Sequence, residues 1–235
     1  MKKIIVFGFP HSGTSILKSI IGHIDSVYEI VDETPGISRS IQTDKEYVLC
    51  KYPFTLDCFF DEKYKEYYKI FIIRNPIWVY SSLNKRFANI DFPKDHDITE
   101  YLNTLNKFIK YSNDPIDNLY TIKYEDLFAN DYLNIKRILS DIGLNYSDKI
   151  FDNSQYSNYI HNSCVDIPDE VPKNEDHVRY RTYQINQPFV DNNNDSKINL
   201  TDYQTSVVTS DRQVLSLYTK NKLIIDDINN LRNST

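Results

Sequence analysis

The sequence predicts an α/β fold of three layers, with a central, mostly parallel sheet of about five strands flanked by helices. Three observations carry this. Short apolar runs of strand length recur through the first 150 residues, alternating with stretches of helical spacing. The first run is apolar at consecutive positions, the mark of a strand buried on both faces. Hydrophobic residues make up 40% of the 235, enough for a packed core.

Each element has its own reason. Residues 4–7 (IIVF) form the first buried strand. A helix follows over 15–24, with Ile16, Leu17, Ile20, Ile21 and Ile24 on or near one face. Residues 27–31 make a second strand and 47–50 a third, after a polar loop holding Pro35 and Gly36. The run KIFII, residues 69–73, is the fourth and strongest. Pro76 suits the first turn of the helix after it. A further helix spans 98–111, and NLYTIKY, residues 118–124, is the fifth strand. Residues 125–142 have helical periodicity and end at Gly143, a C-cap residue. Beyond residue 151 the pattern dissolves into Tyr, Asn, Asp and Ser, and DNNNDS (191–196) reads as a loop. A last helix falls over 212–231. Residues 1–235 are expected to form one domain: an α/β core over 1–150, then a loop-rich segment and C-terminal helix over 151–235 that cover the site.

The bulk numbers exclude several classes. A net charge of −6 argues against a general nucleic-acid binder while leaving room for one local basic pocket. Three cysteines, Cys50, Cys58 and Cys164, with no CxxC, suggest neither a disulfide framework nor a zinc site; reduced thiols suit a cytoplasmic protein. The apolar run in MKKIIVFGFP is too short for a signal peptide, and no window has the length of a membrane span. The expectation is a cytoplasmic chain with no bound metal, no nucleic-acid partner and no membrane contact. Oligomeric state is not legible.

The chemistry begins at GFPHSGTS. Two of only five glycines, Gly8 and Gly13, fall between a buried strand and a helix start. There, converging backbone N–H groups and the helix dipole favour an anion. The spacing is that of a Walker A loop, with Ser15 at the final hydroxyl, so the core is expected to be P-loop NTPase-like. Yet Thr14 stands where a nucleotide-gripping lysine belongs. The strong fourth strand runs into Arg74, where an NTPase needs a metal-holding aspartate. Both departures point to a phosphate-bearing ligand without magnesium.

These residues carry a family resemblance. GFPHSGTSIL resembles the loop with which sulfotransferases bind the 5′-phosphosulfate of PAPS (3′-phosphoadenylyl sulfate). RNPIWVYSS resembles that family's second signature, in which an Arg and a Ser eight positions later hold the 3′-phosphate; here they are Arg74 and Ser82. EYVLCKYPFTL is similar to a segment of protein-tyrosine sulfotransferases whose lysine is catalytic. YTIKYEDL is similar to a segment common across the family, and RTYQINQPF to a late loop whose hydroxyl residue assists the reaction. The resemblance implies a PAPS-dependent sulfotransferase whose catalytic segments are closest to the protein-tyrosine type. It implies cofactor binding by Pro10, His11, Ser12, Gly13, Thr14, Ser15, Arg74 and Ser82; in HVRYRTY, Arg181 or the neighbouring Arg179 is a further candidate for a phosphate contact. The catalytic set it implies is Glu33, Lys51, Thr182 and His11. There are departures. His11 stands at the family's Arg/Lys position, Trp78 replaces the Asp of many cytosolic members, and the glycine-rich adenosine segment of small-molecule sulfotransferases is missing.

The implied reaction moves a sulfuryl group from PAPS to a hydroxyl or amine acceptor, in line and without metal, and releases adenosine 3′,5′-bisphosphate (PAP). A carboxylate takes the acceptor proton. Glu33 matches the family's Glu-Thr pair, and Asp32 is the neighbouring alternative. Lys51 and Thr182 would serve the transferring oxygens. The acceptor is open: a carbohydrate, lipid, small metabolite or peptide tyrosine, with the Tyr-rich segment after residue 151 shaping its cleft. Two other readings stand beside this one. One is a nucleotide-dependent kinase with a degenerate loop. The other is a non-catalytic nucleotide-binding homologue, which His11 keeps open.

Overall fold

Ile4, Ile5, Val6 and Phe7 have no exposed surface because their strand lies at the centre of the sheet. The computed structural model describes residues 1–37, 41–88, 93–152, 191, 193 and 198–233. The strands are β1 (Lys2–Gly8), β2 (Val27–Glu33), β3 (Tyr47–Tyr52), β4 (Tyr67–Ile73) and β5 (Leu119–Lys123). They lie in the order β2-β3-β1-β4-β5, and every pairing is parallel. The chain leaves β1 for the β2 edge, returns through β3, then crosses to β4 and β5. The topological switch point is therefore beside the carboxyl end of β1, where open α/β sheets place ligands.

Strand alternation sorts the two faces. Ile4 and Val6 pack with Leu17, Ile20 and Ile21 of α1 (Thr14–Gly22) and with Leu139 of α5 (Leu133–Ile142). Ile5 and Phe7 face the other way, toward Tyr101 and Leu105 of α3 (Ile98–Asn113). Each such fully buried side chain contributes about 1.5–3 kcal/mol relative to exposure. A smaller cluster of Ile77, Trp78, Val208 and Ile225 joins α2 (Pro76–Arg86) to α6 (Asp202–Ser210) and α8 (Asn221–Asn233). Two short helices, α4 (Tyr124–Leu127) and α7 (Arg212–Leu217), complete the set among the described residues.

Several boundaries differ from expectation. β2 and β3 run two residues further than their apolar runs, to Glu33 and Tyr52, because the ladder pairs Glu33 with Lys51. Residues 125–142 are not one helix. Asn130, Asp131 and Tyr132 adopt left-handed φ values of 50°, 55° and 62°, which separate α4 from α5. Asn and Asp tolerate that conformation, and side-chain periodicity does not register it. The helix expected over 212–231 starts where predicted, because Asp211 accepts from the N–H groups of Gln213 and Val214 and caps α7. It is broken at Tyr218, whose φ of −126° and ψ of 63° leave the helical region, and α8 begins at Asn221. Helix α6, absent from the sequence expectation, starts with a capping box between Thr201 and Gln204. Among the described residues, no helix is long and apolar enough to cross a membrane.

Candidate active site

The loop between β1 and α1 is built by its backbone. A side chain at Gly8 would collide with the Ile72 carbonyl on the neighbouring strand. Gly13 sits at φ 94°, and a Cβ there would run into the Tyr124 ring. His11 takes a left-handed φ of 64°, and the Ser12 N–H donates to the Phe9 carbonyl at 3.1 Å. Pro10 is buried beside it. Ser12 has no exposed surface, and its hydroxyl has no hydrogen-bond partner among the described residues. Such a group is costly unless a ligand completes it. Thr14 opens α1 and is buried, and Ser15 follows it. The arrangement is a cradle for a phosphate-type anion.

The missing lysine is replaced from another strand. Lys51 lies opposite Val6 on β3, only 2% exposed. Its Nζ donates to Ser15 Oγ at 2.7 Å and forms an ion pair with Glu33 Oε1 at 2.7 Å. A cation thus stands at the helix start although position 14 holds threonine. Asp32 precedes Glu33 in β2, but the partner of Lys51 in the ladder is Glu33.

Arg74 leaves β4 and is 8% exposed. Its guanidinium stacks on the Tyr124 ring at 4.3 Å, and the same ring lies against Gly13. Nε and Nη2 both donate to Asn193 Oδ1, at 2.9 and 2.7 Å, and Nη1 donates to the His11 carbonyl at 3.4 Å. Burial lowers the pKa of the guanidinium, and the nearby Tyr124 and Glu125 work against that. Tyr101 holds the backbone in place by donating to the Arg74 carbonyl at 2.8 Å. The Asn75 N–H donates to Glu125 at 2.9 Å, and burial raises the pKa of that carboxyl.

Ser82, on α2, joins this group through His11. Its Oγ shares a 2.7 Å hydrogen bond with His11 Nδ1, whose direction the ring tautomer sets. The pKa of His11 is pushed down to about 3, first by burial and then by the neighbouring Arg86, His96, Arg74 and Lys51. The imidazole is therefore neutral at physiological pH.

Ser12, Gly13, Thr14, Ser15, Lys51, Glu33, Arg74, Ser82 and His11 thus converge on one end of the sheet. Thr182 and Arg181 lie outside the described residues. Tyr124, Asn193 and Tyr101 were missed. Tyr124 stands in the YTIKYEDL segment and so had a signal, whereas Asn193 had none. His23 is structural, with Nδ1 2.6 Å from the Ser19 carbonyl. Cys50 is buried and its thiol is pushed up to about 12. Among the described residues, no cluster of three His, Cys, Asp or Glu has metal-holding geometry.

No family model and no curated protein sequence matches this chain. Solved structures do. The mouse sulfotransferase SULT7A1, crystallised with PAP, superposes with a TM-score of 0.56 at 14% identity, covering 97% of this chain and 89% of that one. The fold is that of a sulfotransferase. Retinol dehydratase in complex with androsterone and PAP matches more loosely. That match has a TM-score of 0.46 and 16% identity, over 63% of this chain and 62% of that one. The sulfotransferase fold accounts for the placement of the site: loop, β3 end and β4 end are the three carboxyl termini that flank the switch point.

Proposed function

We propose that this chain transfers a sulfuryl group from PAPS to a hydroxyl or amine acceptor. The observation that carries this reading is the Lys51 ammonium, 2.7 Å from both Ser15 of the anion cradle and Glu33. One side chain links the phosphate loop to a carboxylate that can serve as a base. The PAP held by the mouse protein of like fold supports the choice of nucleotide.

The cradle fits the donor's charges. Ser12, Thr14, Ser15 and the loop amides hold the 5′ group, with the unused Ser12 hydroxyl as one donor. Arg74 and Ser82 hold the 3′-phosphate, for which a guanidinium fork is well shaped. Asn193 Oδ1 marks the place of an acceptor oxygen against that fork. Lys51 neutralises charge on the transferring oxygens and on the departing phosphate. Glu33 takes the acceptor proton as the new O–S or N–S bond forms and the phosphosulfate bond breaks. The 2.7 Å ion pair with the Lys51 ammonium holds the Glu33 carboxylate beside the cradle until it takes that proton. Thr182 keeps the supporting role that the sequence resemblance implies, and Arg181 remains a candidate for a phosphate contact. No metal is needed, because Arg74 occupies the strand end where a metal-holding carboxylate would be.

Calorimetry decides the donor. PAP is expected to bind at micromolar concentration or tighter without metal, and ATP with magnesium weakly. Magnesium-dependent ATP turnover would instead establish the kinase reading, and tight PAP binding without transfer to any acceptor the non-catalytic one.

A further inference from the structure

The phosphate loop carries no permanent cation of its own. GFPHSGTS, residues 8–15, holds no Lys or Arg, and its His11 is neutral at physiological pH. Lys51, beside Ser15, and Arg74, against the Tyr124 ring, both come from strand ends. A phosphomonoester carries a charge of about −1.5 to −2 at neutral pH. The single guanidinium of Arg74 therefore leaves a 3′-phosphate short by up to about one unit of charge.

Helix α2 holds a cation that makes up the difference. Arg86 is its last residue, and Ser82 lies four positions earlier, on the same helix face. Long helical side chains lean back toward the N-terminus, over the residue one turn before. Here that residue is Ser82, whose Oγ is 2.7 Å from His11 Nδ1. The charge sits accordingly. After burial, Arg86 is the strongest influence lowering the pKa of His11, ahead of His96 and of Arg74, although Arg74 Nη1 donates to the His11 carbonyl at 3.4 Å. Arg86 Cζ lies 5.3 Å from the centroid of the Phe87 ring, a cation–π distance, and that ring meets His96 edge-on at 5.6 Å. Neighbouring positions of α2 are engaged elsewhere. Ser81 Oγ accepts from the Asn199 N–H at 3.0 Å, and Asn84 Nδ2 donates to Gln204 of α6 at 2.7 Å. Arg86 is exposed, so a ligand meets its guanidinium without displacing the core.

We propose that Arg86 is a further nucleotide-binding residue, a second guanidinium that closes with Arg74 on the 3′-phosphate. This rests on the reading of Arg74 and Ser82 as the 3′-phosphate site. Two guanidinium groups, one from a strand end and one from a helix end, then set the preference for a nucleotide phosphorylated at both positions over one carrying the 5′ group alone.

Three probes separate the two phosphates: PAP, adenosine 5′-phosphate and adenosine 3′-phosphate. Their dissociation constants are measured by calorimetry on the full native chain and on Arg86→Gln, Arg86→Lys and Arg74→Ala. Arg86→Gln is expected to weaken PAP and adenosine 3′-phosphate about tenfold, the low end for hydrogen bonds to a charged group, and to leave adenosine 5′-phosphate unchanged. Arg86→Lys should recover part of the loss, because it keeps the charge and gives up the fork. The loss should shrink between about 0.05 M and about 0.5 M salt, since an exposed charge is screened. Arg86→Gln and Arg86→Lys alter an exposed side chain, and circular dichroism checks that they fold. A purely structural role for Arg86 and its Phe87 contact would lower all three affinities together. That result, or native PAP affinity in Arg86→Gln, overturns the proposal. If Arg74→Ala loses the preference for PAP and Arg86→Gln keeps it, the 3′-phosphate site stands and Arg86 is no part of it. If the native chain binds PAP no better than adenosine 5′-phosphate, the 3′-phosphate site falls and the proposal with it. If none of the three nucleotides binds, the donor reading itself falls and takes the proposal with it.

Discussion

Glu33 and Lys51 are cross-strand partners at the ends of β2 and β3, and their side chains close a 2.7 Å ion pair. The same ammonium reaches Ser15 at the start of α1. Lys51→Met should therefore damage both donor binding and transfer, whereas Glu33→Gln should spare PAP affinity. A fall in transfer rate of about a hundredfold or more is expected for Glu33→Gln, the scale of a lost general base. Single-turnover release of PAP, set beside calorimetric PAP affinity, separates the two effects. Unchanged turnover in Glu33→Gln removes it as the base and makes Asp32 the next candidate.

Arg74→Ala should weaken PAP binding by about ten- to a hundredfold, as expected for hydrogen bonds to a charged group. Gly13→Ala should do at least as much for a different reason. Its φ of 94° disfavours any side chain, and the added methyl would displace Tyr124, on which Arg74 stacks. Calorimetric titration with PAP tests both. Wild-type affinity in Arg74→Ala would refute the 3′-phosphate assignment.

His11 gives stability a pH dependence of known sign. Its folded pKa, about 3, lies below the ordinary value of 6.5. Above about pH 6.5 neither state is protonated there, and the residue contributes no slope. Below that, the unfolded chain takes up a proton that the folded site refuses until about pH 3. Stability then falls by up to about 1.4 kcal/mol per pH unit. Urea unfolding at about pH 7.5 and about pH 5 should show a smaller loss in His11→Gln than in the native chain. Equal losses would mean that His11 is protonated in the fold.

Asn221 tethers α8 to the site. It is fully buried, accepts from Asn75 Nδ2 at 2.6 Å and donates to the Val208 carbonyl at 3.3 Å. Asn75 in turn caps α2, directly after Arg74. Asn221→Ala leaves buried polar groups unpaired and should cost about 1–3 kcal/mol. Denaturation midpoints with an unchanged m-value would register it; no shift would show that the tether is slack.

The sequence alone determined the α/β class, the five strands in order, the glycine loop after the first strand and the arginine at the end of the fourth. These are local facts: apolar runs, glycine spacing and a proline at a helix start act through neighbouring residues, so the linear order retains them. Helix breaks at residues 130–132 and at Tyr218 escaped because they are set by backbone dihedrals, which hydrophobic periodicity does not encode. Only the tertiary structure decided that Lys51 supplies the cation Thr14 lacks, that Glu33 is its ladder partner, and that His11 meets Ser82 while Tyr124 lies between Gly13 and Arg74. Those contacts join residues tens of positions apart. They follow from strand order and register, which depend on how the whole sheet buries its two faces.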